Sequence, residues 1–121
     1  MATFRKFDQF VEDLGLAVHN LNTDTLKIYL TNNIPSQSTD AVKADLVGIT
    51  EQYNYAASDV TNIYSQTSGV GTLAVTDVVW TGVGGSFGPF RYVVLYNDST
   101  AVLPAPLIGY WDYGSEITVA P

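Results

Sequence analysis

No cysteine occurs among the 121 residues, so no disulfide framework, thiolate nucleophile or Cys-based zinc site can form. That absence fits assembly in a reducing cytoplasm, although it excludes no compartment. Histidine is nearly absent as well. His19 stands alone, and one imidazole cannot build a His-based metal site. Charge is scarce: 14% of residues are charged, where about 25% is usual for a globular domain. Cations are the scarcest part, five Lys and Arg against twelve Asp and Glu, for a net charge of −7. Nothing in that balance offsets phosphate, so no nucleic-acid partner is expected. Long apolar runs are missing too. No stretch is long enough to span a bilayer. Arg5 and Lys6 are followed by Asp8, Glu12 and Asp13 rather than by an apolar segment. The expectation is a soluble chain with no secretory signal and no membrane partner.

What is present is enough to build a core. The chain is 46% hydrophobic, and its length suits one domain. Charge and glycine are unevenly placed. Through Lys43 there are four cations against five acids; from Ala44 onward Arg91 alone faces seven acids, and eight of the ten glycines lie from Gly69 on. Phe4, Phe7, Val11, Leu14 and Val18 recur at spacings of three and four, which predicts a helix over residues 4–14 with Thr3 as its N-cap. An amphipathic entry segment of this kind serves either as a docking arm or as packing for its own domain, and packing is the favoured reading. If it is an arm, Phe4, Phe7, Val11 and Leu14 are the partner contacts, and removing residues 1–14 spares the fold. The domain plan is therefore a helix or arm over 1–22 and a β-domain over 23–121.

Beyond residue 22 the period changes. Leu26, Ile28 and Leu30 share one face, and Lys27, Tyr29 and Thr31 the other, the pattern of a half-buried strand. Residues 41–50 read as a short irregular or helical excursion, with weaker strands at 60–64 and 72–80. Residues 81–86 form a glycine-rich loop. Residues 90–96 are apolar on both faces apart from Arg91, as in a central strand. They are followed, after a loop holding Asn97, Asp98, Pro104 and Pro106, by a strand at 107–112. Folding these two about the loop centre sets Tyr92 opposite Trp111, Phe90 opposite Tyr113, Leu95 opposite Ile108 and Arg91 opposite Asp112. Phe90, Tyr92, Trp111 and Tyr113 then form an aromatic ladder, and Arg91–Asp112 a structural ion pair. A further strand begins at residues 116–119. Short strands separated by Gly, Pro and Asn turns predict an all-β antiparallel sandwich, jelly-roll-like, with a short N-terminal helix or arm.

Motifs for chemistry are weak. Gly84-Gly85-Ser86-Phe87-Gly88 matches the letters of a nucleophile elbow, but Pro89 and a strand follow where a helix is required, and His19 precedes the serine. A glycine-rich turn is the better account of Ser86. Gly69-x-Gly71 and Gly82-x-Gly84 lack the third glycine of a phosphate cradle. Oxygen ligands around Asp98 or Asp112 would suit calcium, yet no D-x-D-x-D-G loop exists. No metal, no cofactor and no catalytic residue is expected. The aromatics Tyr53, Tyr55, Trp80, Tyr110, Trp111 and Tyr113 leave a carbohydrate-binding module open as an alternative to core packing.

Two stretches point to a family. One runs from Phe7 through Phe10-Val11, Leu14 and Val18-His19-Asn20-Leu21 to Asp24-Thr25-Leu26-Lys27 and Leu30-Thr31-Asn32. The other comprises Gly88-Pro89-Phe90-Arg91-Tyr92-Val93-Val94-Leu95-Tyr96-Asn97-Asp98 and Pro106-Leu107-Ile108-Gly109-Tyr110-Trp111-Asp112-Tyr113-Gly114-Ser115. Over essentially its whole length, most loosely at 33–80, the chain resembles a family of small structural virion proteins of tailed bacteriophages. The resemblance implies a virion protein assembled in the host cytoplasm, foremost a head-decoration (cement) protein on the outer face of the capsid, with the major capsid protein and copies of itself for partners; closed cyclic symmetry makes a trimer the expected assembly. A tail, neck or fibre component is the alternative within that class. Members tend to continue past the Asp-Tyr-Gly-Ser block with another strand. Here the expectation is that a longer native chain or a neighbouring subunit completes that sheet edge. The resemblance supplies no catalytic residues.

Overall fold

The computed structural model describes residues 3–76, 78–99 and 105–120. It is 46% strand with one short helix. The chain is thus the all-β antiparallel sandwich expected from its sequence. Its elements, in order, are β1 (Thr3–Lys6), α1 (Asp8–Gly15), β2 (Leu26–Thr31), a 3-10 turn at Lys43–Asp45, β3 (Ser58–Val60), β4 (Asn62–Thr67), β5 (Val70–Val75), β6 (Phe87–Asn97) and β7 (Leu107–Val119). Five strands form one antiparallel sheet in the order β1-β7-β6-β2-β3, and β4-β5 is a separate hairpin.

The sheet is covered on both faces. On one, Tyr29, Tyr92, Val94, Tyr96, Leu107 and Tyr110 pack with Phe7 and Leu46. On the other, Leu26, Ile28, Leu95 and Ile108 pack with Leu21 and Val60, and Leu73 and Val75 of the hairpin lie over them. A third cluster, Leu30, Tyr55, Phe87 and Phe90, fills the far end. β2 is consequently buried on both sides, not half-buried: Tyr29 is as enclosed as Leu30, because residues around Leu46 fold over its face. The hairpin closes at Ser68-Gly69, both at positive φ (52° and 81°), the two-residue turn that matches strand twist. The strand expected over 72–80 ends at Val75, and the weak strand at 60–64 divides between β3 and β4.

The entry segment departs from the predicted helix. Residues 3–6 are an edge strand paired to β7, from Thr3 opposite Asp112 to Lys6 opposite Gly109. The helix starts at Asp8. Its N-cap is Phe7, which offers no side-chain cap, so Thr3 has no capping role. An open β7 edge recruits these residues through backbone bonds, a long-range gain that local periodicity does not register. Because β1 lies in the sheet and Phe7 in its core, residues 3–22 do not form a separate arm.

The β6–β7 register is one residue away from the expected one. Tyr92 faces Asp112, Val93 faces Trp111 and Leu95 faces Gly109. Register shifts cause the difference. Ile108 is an extra residue between the Leu95/Gly109 and Tyr96/Leu107 pairs, and residues 113–116 loop out opposite Arg91 before Phe90 meets Ile117. A one-residue slip sends each side chain to the other face, so the aromatic ladder does not form. Phe90 lies in the far cluster and Tyr92 stands edge-on to Tyr110 at 6.1 Å. Trp111 packs on Phe4 at 4.8 Å, and Tyr113 is 52% exposed on the bulge. Residues 116–119 are the end of β7 rather than a new strand. Of the loop before β7, residues 100–104, with Pro104, lie outside the described residues.

Candidate partner-binding groove

On the hairpin-covered face, β4-β5 does not reach the sheet edge. Between the hairpin, α1 and β1 runs a groove of about 460 Å³. Leu95 and Ile108 form its floor, Leu73 and Val75 one wall, and Phe10 and Leu14 the other. Phe4, Trp111 and Tyr64 stand at its mouth with Lys6. Each position has a local cause. Gly109 leaves the space that the Phe4 ring fills, since a Cβ there would sit 2.3 Å from its Cζ. Gly71 does the same for the Tyr64 ring lying across the hairpin. The groove stays open to solvent: Phe4 is 45%, Tyr64 40% and Leu14 39% exposed. Its walls are apolar, with the Lys6 ammonium at the mouth.

The four expected contact residues divide. Phe4 and Leu14 line the groove. Phe7 is fully buried against Tyr110 on the opposite face of the sheet and cannot meet a partner. Val11 is 56% exposed but does not line the groove. The groove residues that sequence reasoning missed, Tyr64, Leu73, Val75, Leu95 and Ile108, come from segments distant in the chain. Each fell in a segment expected to be a strand, but no feature of the sequence brought those strands to one face.

Arg91 and Asp112 meet in two hydrogen bonds, Nε to Oδ1 at 2.9 Å and Nη2 to Oδ2 at 3.2 Å. Asp112 also accepts the Gly114 N–H at 2.8 Å, so the pair pins the start of the bulge. The guanidinium, then the Gly114 N–H, holds the Asp112 carboxyl below its usual range. Asp98 lies 3.1 Å from the Lys27 ammonium. Both carboxylates considered for calcium are therefore matched by cations, and among the described residues no three His, Asp or Glu side chains gather as metal ligands.

A polar cluster lies buried behind α1. The Asn97 amide donates to His19 Nδ1 at 3.0 Å and to Asp24 Oδ2 at 2.7 Å, while its oxygen accepts the Ser99 N–H. With Nδ1 accepting, the neutral imidazole carries its proton on Nε2. Nε2 and the buried Asp13 Oδ2 have no partner among the described residues. Desolvation lowers the His19 pKa, against the opposing pull of Asp13 and Asp24. On the other face, Lys43 lies over the Tyr29 and Tyr96 rings at 5.2 and 5.1 Å. Burial raises the Tyr29 hydroxyl pKa and pushes that of Tyr55 up to about 12. The Tyr55 hydroxyl accepts the Leu30 N–H at 2.7 Å.

The aromatics do not converge on one platform. Tyr55 and Tyr110 are buried, Trp80 donates its indole N–H to the Ala56 carbonyl at 2.9 Å, and Trp111 belongs to the groove. Ser86 lies in the loop directly before β6, with no helix after it. Comparison with family models, with curated proteins and with solved structures gives no match for this chain.

Proposed function

We propose that the chain is a non-catalytic structural protein of a phage particle, seated as a decoration subunit on the outer face of the head shell. The observation that carries this reading is the open apolar groove between α1, β1 and the hairpin, with aromatic side chains at its mouth. Exposed aromatic and aliphatic anchors beside a pocket are what protein interfaces use as energetic centres. Low charge density supports it, since few ions must be desolvated when such a surface is covered. Net negative charge keeps the free subunit soluble until assembly and repels packaged DNA. Subunits on a shell close into rings, and a trimer is the ring proposed here.

Quantitative mass spectrometry of purified virions tests the reading. A copy number near that of the major capsid protein is expected. A few copies per particle would move the chain to the tail, neck or fibre. Complete absence from virions would overturn the structural role and leave a carbohydrate-binding module, with exposed Tyr53 and Tyr113, to pursue.

A further inference from the structure

We propose that the outer edge of β1, with the adjoining groove, takes up an extended segment of a partner protein as an added strand, and that this segment alternates apolar with acidic residues. The proposal rests on the assembly reading above and names the chemistry of the partner. It begins from the register. Phe7 N–H donates to the Ile108 carbonyl at 3.1 Å, which makes 7 and 108 a bonded pair. Bonded and non-bonded pairs alternate along an antiparallel ladder. Arg5/Tyr110 and Thr3/Asp112 are then bonded as well, and Phe4/Trp111 and Lys6/Gly109 are not. The N–H and C=O groups of Phe4 and Lys6 therefore point away from β7, toward the outside of the sheet.

One side-chain contact agrees with that direction: the Lys6 carbonyl accepts Gln37 Nε2 from outside at 2.9 Å. The Phe4 N–H, the Phe4 carbonyl and the Lys6 N–H remain, with no strand beyond them among the described residues. Three outward-facing backbone groups beside an apolar groove are the requirements of strand addition: the backbone supplies affinity, and the groove reads alternate side chains.

Charge selects the occupant. Arg5 and Lys6 are exposed and project to opposite faces, and among the described residues neither lies in a salt bridge. They are two of only five cations in a chain of net charge −7. A second copy pairing antiparallel through its own β1, Phe4 with Lys6, would set Arg5 directly opposite Arg5, which like charges across strands disfavour. A basic segment meets the same repulsion. An alternating acidic segment that turns its apolar residues onto Phe4, Trp111 and Leu14 carries its carboxylates on the opposite face, beside Arg5.

The test titrates the full chain with a synthetic peptide alternating valine and glutamate, with a valine–lysine peptide, and with a valine–glutamate peptide carrying a central proline. Amide hydrogen exchange is the readout. The valine–glutamate peptide is expected to slow exchange at Phe4 and Lys6 about tenfold, and Arg5→Glu to weaken its binding about tenfold. The proline peptide loses a backbone donor and fails. Unchanged exchange at these two amides, or equal binding of the acidic and basic peptides, overturns the proposal. Concentration-dependent protection of both amides in the free chain also overturns it, by giving the edge to a second copy. Because the peptide test needs no virion, its failure leaves the copy-number result standing, and the converse holds too.

Discussion

Asn97 holds three groups at once, His19, Asp24 and the Ser99 amide, from a position with no solvent contact. That geometry requires His19 Nδ1 to accept, so protonating the ring sets two donors face to face. The folded pKa of His19 lies below its ordinary 6.5, chiefly through burial. The unfolded chain then binds the proton first as the pH falls. Stability is full above about pH 6.5 and declines below it, until the folded pKa is passed. Urea midpoints should therefore fall between pH 7.5 and 5.5, a window above the ordinary carboxylate range. His19→Phe should be less stable at pH 7.5 yet flat across that window; a slope equal to the native one would remove His19 as its cause. The Arg91–Asp112 pair makes a second test at this scale. Arg91→Glu is expected to lower the thermal midpoint by a few degrees, and Asp112→Arg in the same chain to restore part of the loss. The absence of coupling in that double-mutant cycle would show the pair to be incidental to stability.

Elements were legible in proportion to how local their causes are. β2, the strand cores of β6 and β7, the glycine loop at 81–86 and the excursion near 43–45 follow from period, β-branching and turn residues. β1 was not legible, because Phe4 and Phe7 satisfy a helical spacing and a strand equally well. The decision belongs to β7, more than a hundred residues later in the chain. The β6–β7 register failed for a related reason: the extra residue at Ile108 and the loop-out at 113–116 leave no signal that a count about the hairpin centre could include. Of the four contact residues expected from sequence, two, Phe4 and Leu14, line the groove, since both stand on an apolar stripe. The hairpin wall was hidden by the modest hydrophobicity of residues 62–75. One pair of substitutions separates a core role for the entry segment from a surface role. Phe7→Ala removes a fully buried ring and should cost about 3–5 kcal/mol, a large share of a domain's usual total of roughly 5–15 kcal/mol. Val11→Ser, at an exposed site, should stay within about 0.5 kcal/mol. Chemical denaturation of the two variants checks both values. Deleting residues 1–14 is accordingly expected to unfold the chain, not to spare it.

Across the whole molecule, apolar exposure and low charge work together. Among the described residues thirteen large hydrophobic side chains are exposed, in a protein whose surface has few charges to separate them. They are not evenly useful: Ile34, Val47 and Val79 are scattered singly, whereas Phe4, Leu14 and Tyr64 border one groove. The two tryptophans report on this difference. Trp111 lies in the groove, and Trp80 is tied to the Ala56 carbonyl away from it. Covering the groove with a protein partner should shift the emission of Trp111 to shorter wavelength, a change that survives Trp80→Phe and disappears in Trp111→Phe. Added sugars should leave both emissions unchanged, and a saturable response to sugar would favour the carbohydrate-binding alternative.

The pairing of β1 with β7 joins residues 3–6 to residues 109–112, so β1 leaves the ribosome more than a hundred residues ahead of the strand it pairs with. A nascent chain that stops short of β7 lacks the partner that turns this strand into an edge and encloses Phe7 against Tyr110. Until β7 is made, the segment around Phe4 and Phe7 travels unpaired, a natural binding site for holding chaperones, and this part of the sheet closes late. A premature stop anywhere before β7 would release a product lacking both the central ladder and its closing strand, destined for proteolysis rather than partial function.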